Sequence, residues 1–123
     1  MKKLEMYCIT TNNNHAKIIN TIGYVPVGLG TNISSNLFIR DNSNFNISSK
    51  NDFYGEYTFH YWLWKNMLTK IESEWIGFCQ YRKFWCEKKE VEKNISFENF
   101  NKIILKQIPQ EYDSYEAILG EHL

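Results

Sequence analysis

No stretch of this 123-residue chain is apolar for long: the aromatic segment after Phe59 is interrupted by His60, Lys65 and Asn66, far short of the roughly 18 consecutive apolar residues a membrane span needs. An excess of either charge is missing too. Fourteen basic and fourteen acidic residues cancel, which leaves no electrostatic footprint for duplex DNA or an anionic membrane surface, so no nucleic-acid polymer is expected as a partner. After Lys2 and Lys3 no apolar stretch of signal-peptide length follows, and no secretion signal is expected. Cysteine is scarce. Cys8, Cys79 and Cys86 are odd in number and lack the paired spacing of a zinc site; Cys8 and Cys79 stand inside apolar runs, where a reduced thiol packs as a small hydrophobe. These features fit a cytoplasmic, reducing compartment, with any membrane work done peripherally from its inner face.

Several catalytic signatures are also missing. The chain contains no Asp-x-Asp pair, so the two-carboxylate metal clamp that many nucleotide-sugar transferases use is lacking. No metal site or cofactor is expected, although a divalent ion is left open. The glycines of YVPVGLG match neither the P-loop nor the dinucleotide pattern, and no Gly-x-Ser-x-Gly or His-Glu-x-x-His occurs. Hydrolase, kinase and metalloprotease readings lose support.

What is present is a core-forming composition, 43% hydrophobic and 16% aromatic, in a chain the size of one domain spanning 1–123. Leu4 to Thr10 is rich in β-formers and is followed by a polar turn, which predicts a first strand. A short helix over Ala16 to Thr21 follows, then a brief extended piece in YVPVGLG. The next stretch is rich in Asn and Ser, but Leu37, Phe38, Ile39, Phe45 and Ile47 offer anchors, which favours an ordered, irregular loop over disorder. Asn51 or Asp52 caps a helix expected to run to about Ile71. At 100° per residue its apolar stripe comprises Tyr57, Tyr61, Leu63, Trp64, Met67, Leu68 and Ile71, with Glu56 and His60 buried inside it and Thr58, Lys65 and Thr69 on the other face. Trp75 to Tyr81 reads as a buried strand. Ser96 opens a helix to about Gln107, stopped by Pro109, and Glu116 to Leu119 reads as a last strand. Strands alternating with helices predict an α/β layer fold with a mainly parallel sheet.

Candidate chemistry clusters between Asp41 and Trp85. Gln80, Tyr81, Arg82 and Lys83 close the WIGFC strand, and ligands of open α/β sheets bind beyond the carboxyl ends of strands. Two cations there would hold a diphosphate, Arg82 through a bidentate contact and Lys83 as a point charge; a strand ending in solvated charges gives the same spacing. Glu56 and His60, a carboxylate beside an imidazole in an apolar setting, suit a general base, or else a buried pair that orients the helix. Asp41, Asn42, Asn46, Ser48, Lys50 and Asn51 would clasp hydroxyls, or simply satisfy their own backbone. Trp62, Trp64, Trp75 and Trp85 read as core or sheet cover before they read as a sugar platform.

These residues fall into blocks that resemble a known family. YVPVGLG is followed by Asp41-Asn42-Ser43 and Asn46-Ile47-Ser48 with Lys50-Asn51, similar to a D-N-T-G-D-N-I-S-x-K-N loop. Glu56-Tyr57-Thr58 with Tyr61-Trp62, Trp64, Lys65 and Asn66 is similar to E-L-T-x-x-Y-W-x-W-K-N, and Ile76-Gly77-Phe78-Cys79 with Tyr81-Arg82-Lys83-Phe84 to I-G-L-C-H-Y-R-R-Y-F. The family is the domain of capsular and exopolysaccharide biosynthesis proteins, long labelled only as of unknown function and regarded as a glycosyltransferase domain with a GT-A-like fold. The resemblance covers the chain but only the N-terminal half of that domain. Asn44 and Phe45 stand where Gly and Asp are usual, Gln80 replaces a common His and Lys83 a second Arg.

The resemblance implies a GT-A-like, Rossmann-like α/β domain, incomplete as it stands. It would transfer a sugar, hexosyl or galactofuranosyl, from a nucleotide-sugar donor such as a UDP-sugar to a growing glycan acceptor. Glu56 and Arg82 would be catalytic. Thr10, Thr11, Asp41, Asn46, Lys50, Asn51, Tyr81, Arg82 and Lys83 would bind the donor, and His60, Lys65 and Asn66 would support the helix. A non-catalytic glycan or nucleotide-sugar binding module, or an inactive remnant, uses the same groups without turnover. A truncated sheet also makes a homo-oligomer an expectation.

Overall fold

The computed structural model describes residues 2–29, 38–87 and 95–120. Gly30 of YVPVGLG and the expected anchor Leu37 lie outside the described residues. At the centre is β1 (Lys2–Ile9), which pairs in parallel with β2 (Val25–Gly28) on one side and β4 (Trp75–Gln80) on the other. A two-residue β3 (Ile39–Arg40) extends the sheet beyond β2, giving the order β3-β2-β1-β4, and β5 (Gln107–Ile108) pairs antiparallel with Lys2 and Lys3. This is the mainly parallel, Rossmann-like α/β sheet the alternation of elements predicts.

A central parallel strand is covered on both faces, and β1 divides its side chains between two cores. Met6 and Cys8 meet Ile19 of helix α1 (Asn13–Thr21) and its C-cap Ile22, with Phe100 of α4 (Phe97–Ile103) packed alongside. Tyr7 and Val27 meet Phe59, Trp62 and Leu63 of α3 (Tyr57–Asn66) on the other face. Cys8 and Cys79 face each other in register as buried, free thiols; contact with Cys8, with burial, raises the Cys79 thiol above its usual range. Burial likewise raises the Tyr7 phenol, helped by the Glu5 carboxylate that its hydroxyl contacts at 2.7 Å.

Local chemistry explains the element ends. Helix α1 starts earlier than Ala16 because the Asn12 side chain accepts from the backbone N–H of Asn14 at 2.8 Å and of His15 at 3.3 Å. It ends in a Schellman turn: Gly23, at φ 88°, donates to Asn20 while Tyr24 donates to Ile19. Ser96 caps α4 by accepting from Asn99. That helix stops at Ile103, short of Gln107, because Ile104 leaves it extended to bridge Cys86 and bury its side chain.

Several expectations are corrected. Residues 116–119 form no strand, and Leu119 is 90% exposed; the late strand lies at Gln107–Ile108, where Ile108 is buried against the sheet. The long helix from Asn51 to Ile71 is divided. A one-turn α2 (Asn51–Tyr54) ends at Gly55, whose φ of 55° breaks the ladder; α3 then runs from Tyr57, and Met67 turns into a 3-10 turn at Leu68–Lys70. The face that α3 buries is also not the one its aromatic stripe predicts. Thr58, Phe59, Trp62 and Leu63 are buried, whereas Tyr57 and Trp64 are 65% and 58% exposed. Glu56 and His60 are half-buried rather than enclosed. Polar Thr58 goes inward because it finds fixed partners there, and a satisfied polar group buries without penalty.

Candidate functional site

The helix after β1 leads to β2 on one side, while β4 flanks β1 on the other, so the switch in strand order lies between β1 and β4. Beyond the carboxyl ends of such a pair is where open α/β sheets hold ligands. The two strands run in register to Ile9 and Gln80, and the Tyr81 N–H adds one more bond to the Ile9 carbonyl at 2.9 Å. The chain then reverses. Lys83 donates to the Gln80 carbonyl at 2.9 Å, closing a tight turn with Arg82 at φ 81°. That position in a type II turn usually belongs to Gly or Asn. A bulky residue held there costs on the order of 1 kcal/mol, and such strain concentrates at functional sites. The turn presents Arg82 and Lys83 to solvent as exposed cations.

Strand alternation sends the neighbouring side chains to opposite faces. Gln80 follows Ile76 and Phe78 onto the α3 face, and its amide donates to Glu56 Oε2 at 2.8 Å. Tyr81 turns to the α1 face and stacks on His15, ring centroids 3.7 Å apart and planes 12° from parallel. The Thr10 hydroxyl lies 3.4 Å from His15 Nδ1 and accepts from the Asn12 N–H at 3.2 Å. Thr10, His15 and Tyr81 therefore meet on the α1 face, and Glu56 and Gln80 on the α3 face, about the carboxyl ends of β1 and β4, with Arg82 in the turn beyond them. Beside them a cleft of about 290 Å³ opens between Ile18, Tyr81, Arg82, Phe84, Phe97 and Phe100, apolar walls with a cation at the rim. A larger cleft of about 560 Å³ lies at the amino-terminal ends of the same strands, by Leu4, Met6, Trp75 and Gly77. Parallel sheets place their chemistry at the carboxyl ends, so volume there does not mark the site.

The Asp41–Asn51 loop is held by hydrogen bonds within the fold. Helix α3 directs Thr58, Trp62 and Asn66, four residues apart, along one face toward it. The Thr58 hydroxyl donates to the buried Asp41 carboxylate at 2.5 Å. Trp62 Nε1 donates to the Ser43 carbonyl and hydroxyl at 3.1 Å, and Asn66 donates to the Phe45 carbonyl at 2.8 Å. Asn51 closes the arrangement by donating to Gly55 and Thr58. Asn46 folds back on Asn44 and Ser48, and Lys50 sits in a 3-10 turn. Asn44 adopts φ 49° where the resembled motif has Gly, and Asn is the non-glycine residue that best tolerates it. Phe45, expected as an anchor, is 72% exposed; only its backbone is held.

Of the remaining candidates, Thr11 is exposed just beyond β1. His60 packs on Phe78 with centroids 4.2 Å apart, its Nε2 buried without a hydrogen-bond partner, and burial lowers its pKa against the opposing pull of Glu56. Lys65 lies 3.9 Å over the Trp64 ring and 5.8 Å from that of Tyr61. His15 is the site residue that motif reading misses. Its signal was the Asn12 cap, which starts α1 early enough to place His15 in the first turn beside the strand end.

Among the described residues no helix is long and apolar enough to cross a membrane. A family model described as a domain of unknown function (DUF4422) matches residues 6–122. No curated protein and no solved structure matches the chain.

Proposed function

Because this chain belongs to the family described as a domain of unknown function (DUF4422), and polar groups flank the carboxyl ends of β1 and β4, we propose that it is a sugar-transferring domain with its donor site between β1 and β4. The placing of the strained Arg82 turn, of Thr10 with His15 and of Glu56 with Gln80 about the carboxyl ends of β1 and β4, where the strand order switches, carries this reading. The resemblance to glycosyltransferase motifs of polysaccharide biosynthesis supplies the reaction class.

In this reading the apolar cleft beside Tyr81 and Arg82 receives the nucleobase of a UDP-sugar, and Arg82 and Lys83 bind the diphosphate. An acceptor hydroxyl oxygen bonds to the anomeric carbon as the bond from that carbon to the phosphate oxygen breaks. The electron pair leaves with the diphosphate, where the two cations stabilise the developing charge. Gln80 fixes one oxygen of Glu56, and the other takes the proton from the acceptor hydroxyl.

The test is a calorimetric titration of the chain with UDP and a panel of UDP-sugars, with and without Mn²⁺, beside an Arg82→Ala variant. Saturable binding that depends on Arg82 is expected. A folded wild-type chain that binds no nucleotide under either condition would overturn the reading.

A further inference from the structure

We propose that the outward face of α3 is a track for a neutral glycan chain, a site separate from the donor edge and continuous with it. The aromatic stripe expected in the core instead faces solvent: Tyr57 and Trp64 are exposed, and half-buried Tyr61 meets Trp64 edge to face with centroids 6.0 Å apart. Over seven residues of helix the stripe covers about 10 Å, the reach of a short oligosaccharide. Grouped along one helix face rather than scattered singly, these rings form the kind of contiguous exposed patch that marks an interaction surface.

The chemistry of the strip selects its occupant. Flat rings interleaved with hydroxyl and indole N–H groups suit the apolar faces and hydroxyl edges of sugars. The cation of the strip, Lys65, is laid over the Trp64 ring, while Glu56 stands at its N-terminal end. An anionic bilayer would meet a carboxylate there, whereas a neutral, hydroxylated chain meets a hydrogen-bond acceptor. The track also has a direction. Tyr57 directly follows Glu56, whose carboxylate is tied to the donor edge through Gln80, so a chain lying along α3 has one end beside Glu56. The word acceptor for that chain rests on the transferase reading; the track itself does not.

The test applies the chain to an array of neutral oligosaccharides from disaccharide to octasaccharide, alongside sedimentation with zwitterionic and anionic phospholipid vesicles and a UDP titration. Wild-type binding should strengthen with glycan length, and the Tyr57→Ala/Trp64→Ala double variant should lose roughly tenfold or more while keeping its circular dichroism and UDP affinity. No binding to any glycan, or binding that the double variant retains, would overturn the track. Vesicle binding that the variant loses, without glycan binding, would overturn it in favour of a membrane face. Track-dependent glycan binding in a chain that never binds UDP would uphold the track and remove the transferase reading instead.

Discussion

Two segments carry the polar motifs of this chain, and they use their side chains in opposite ways. The Asp41–Asn51 loop turns its key groups inward: Asp41 is buried on Thr58, and Trp62 and Asn66 grip the backbone at Ser43 and Phe45. The Gln80–Lys83 turn uses one backbone hydrogen bond and a strained φ to hold its cations outward. A motif rich in hydrogen-bonding groups thus builds a loop in one place and leaves its cations facing solvent in the other. What separates them is whether the partners of those groups already lie within the fold.

The comparison breaks most readily at Arg82. Arg82→Ala should lower UDP affinity by about 10- to 100-fold, the worth of a charge-assisted hydrogen bond, with little change in the thermal midpoint; calorimetric titration and a melting curve read both. In the loop the balance reverses. Thr58→Val or Asp41→Ala should cost about 1–3 kcal/mol of stability through an unsatisfied buried partner, measured by urea denaturation, and should affect nucleotide binding only as far as the loop loosens. Arg82→Gly sharpens the contrast by relieving the left-handed φ: it should stabilise the fold by about 1 kcal/mol while still losing UDP, and unchanged stability would mean the turn is not strained.

Smaller effects follow. Because burial depresses the pKa of His60 in the folded chain, the unfolded chain binds a proton more readily. The stability that neutral His60 carries is then complete above the ordinary histidine value of 6.5 and falls as pH drops below it. Urea melts at a series of pH values should show this acid-side loss, flattened in His60→Phe. Smallest of all, Phe45→Asp, which restores the carboxylate of the resembled motif, should change stability by less than about 0.5 kcal/mol, since that side chain is exposed and only its backbone is held.

Much of the frame was legible in advance. The strands at Leu4–Thr10 and Trp75–Tyr81 follow from runs of β-formers. The end of α1 follows from Gly23, and the α/β class from alternating elements, because these depend on short-range backbone preferences. The absence of charge excess and of long apolar runs is likewise a property of composition alone. The inward face of α3 was not legible. Counting aromatics placed Tyr57 and Trp64 inside and Thr58 outside, whereas burial is decided by which groups find partners, and those of Thr58, Trp62 and Asn66 lie 17 to 21 residues away in sequence. His15 joined the site for a similar reason: its partners Thr10 and Tyr81 are brought together by the parallel register of β1 and β4. Local propensity is written residue by residue along the chain. Which of two equally polar motifs faces water is set only when distant strands and helices close on each other and use up the hydrogen-bonding groups of one of them.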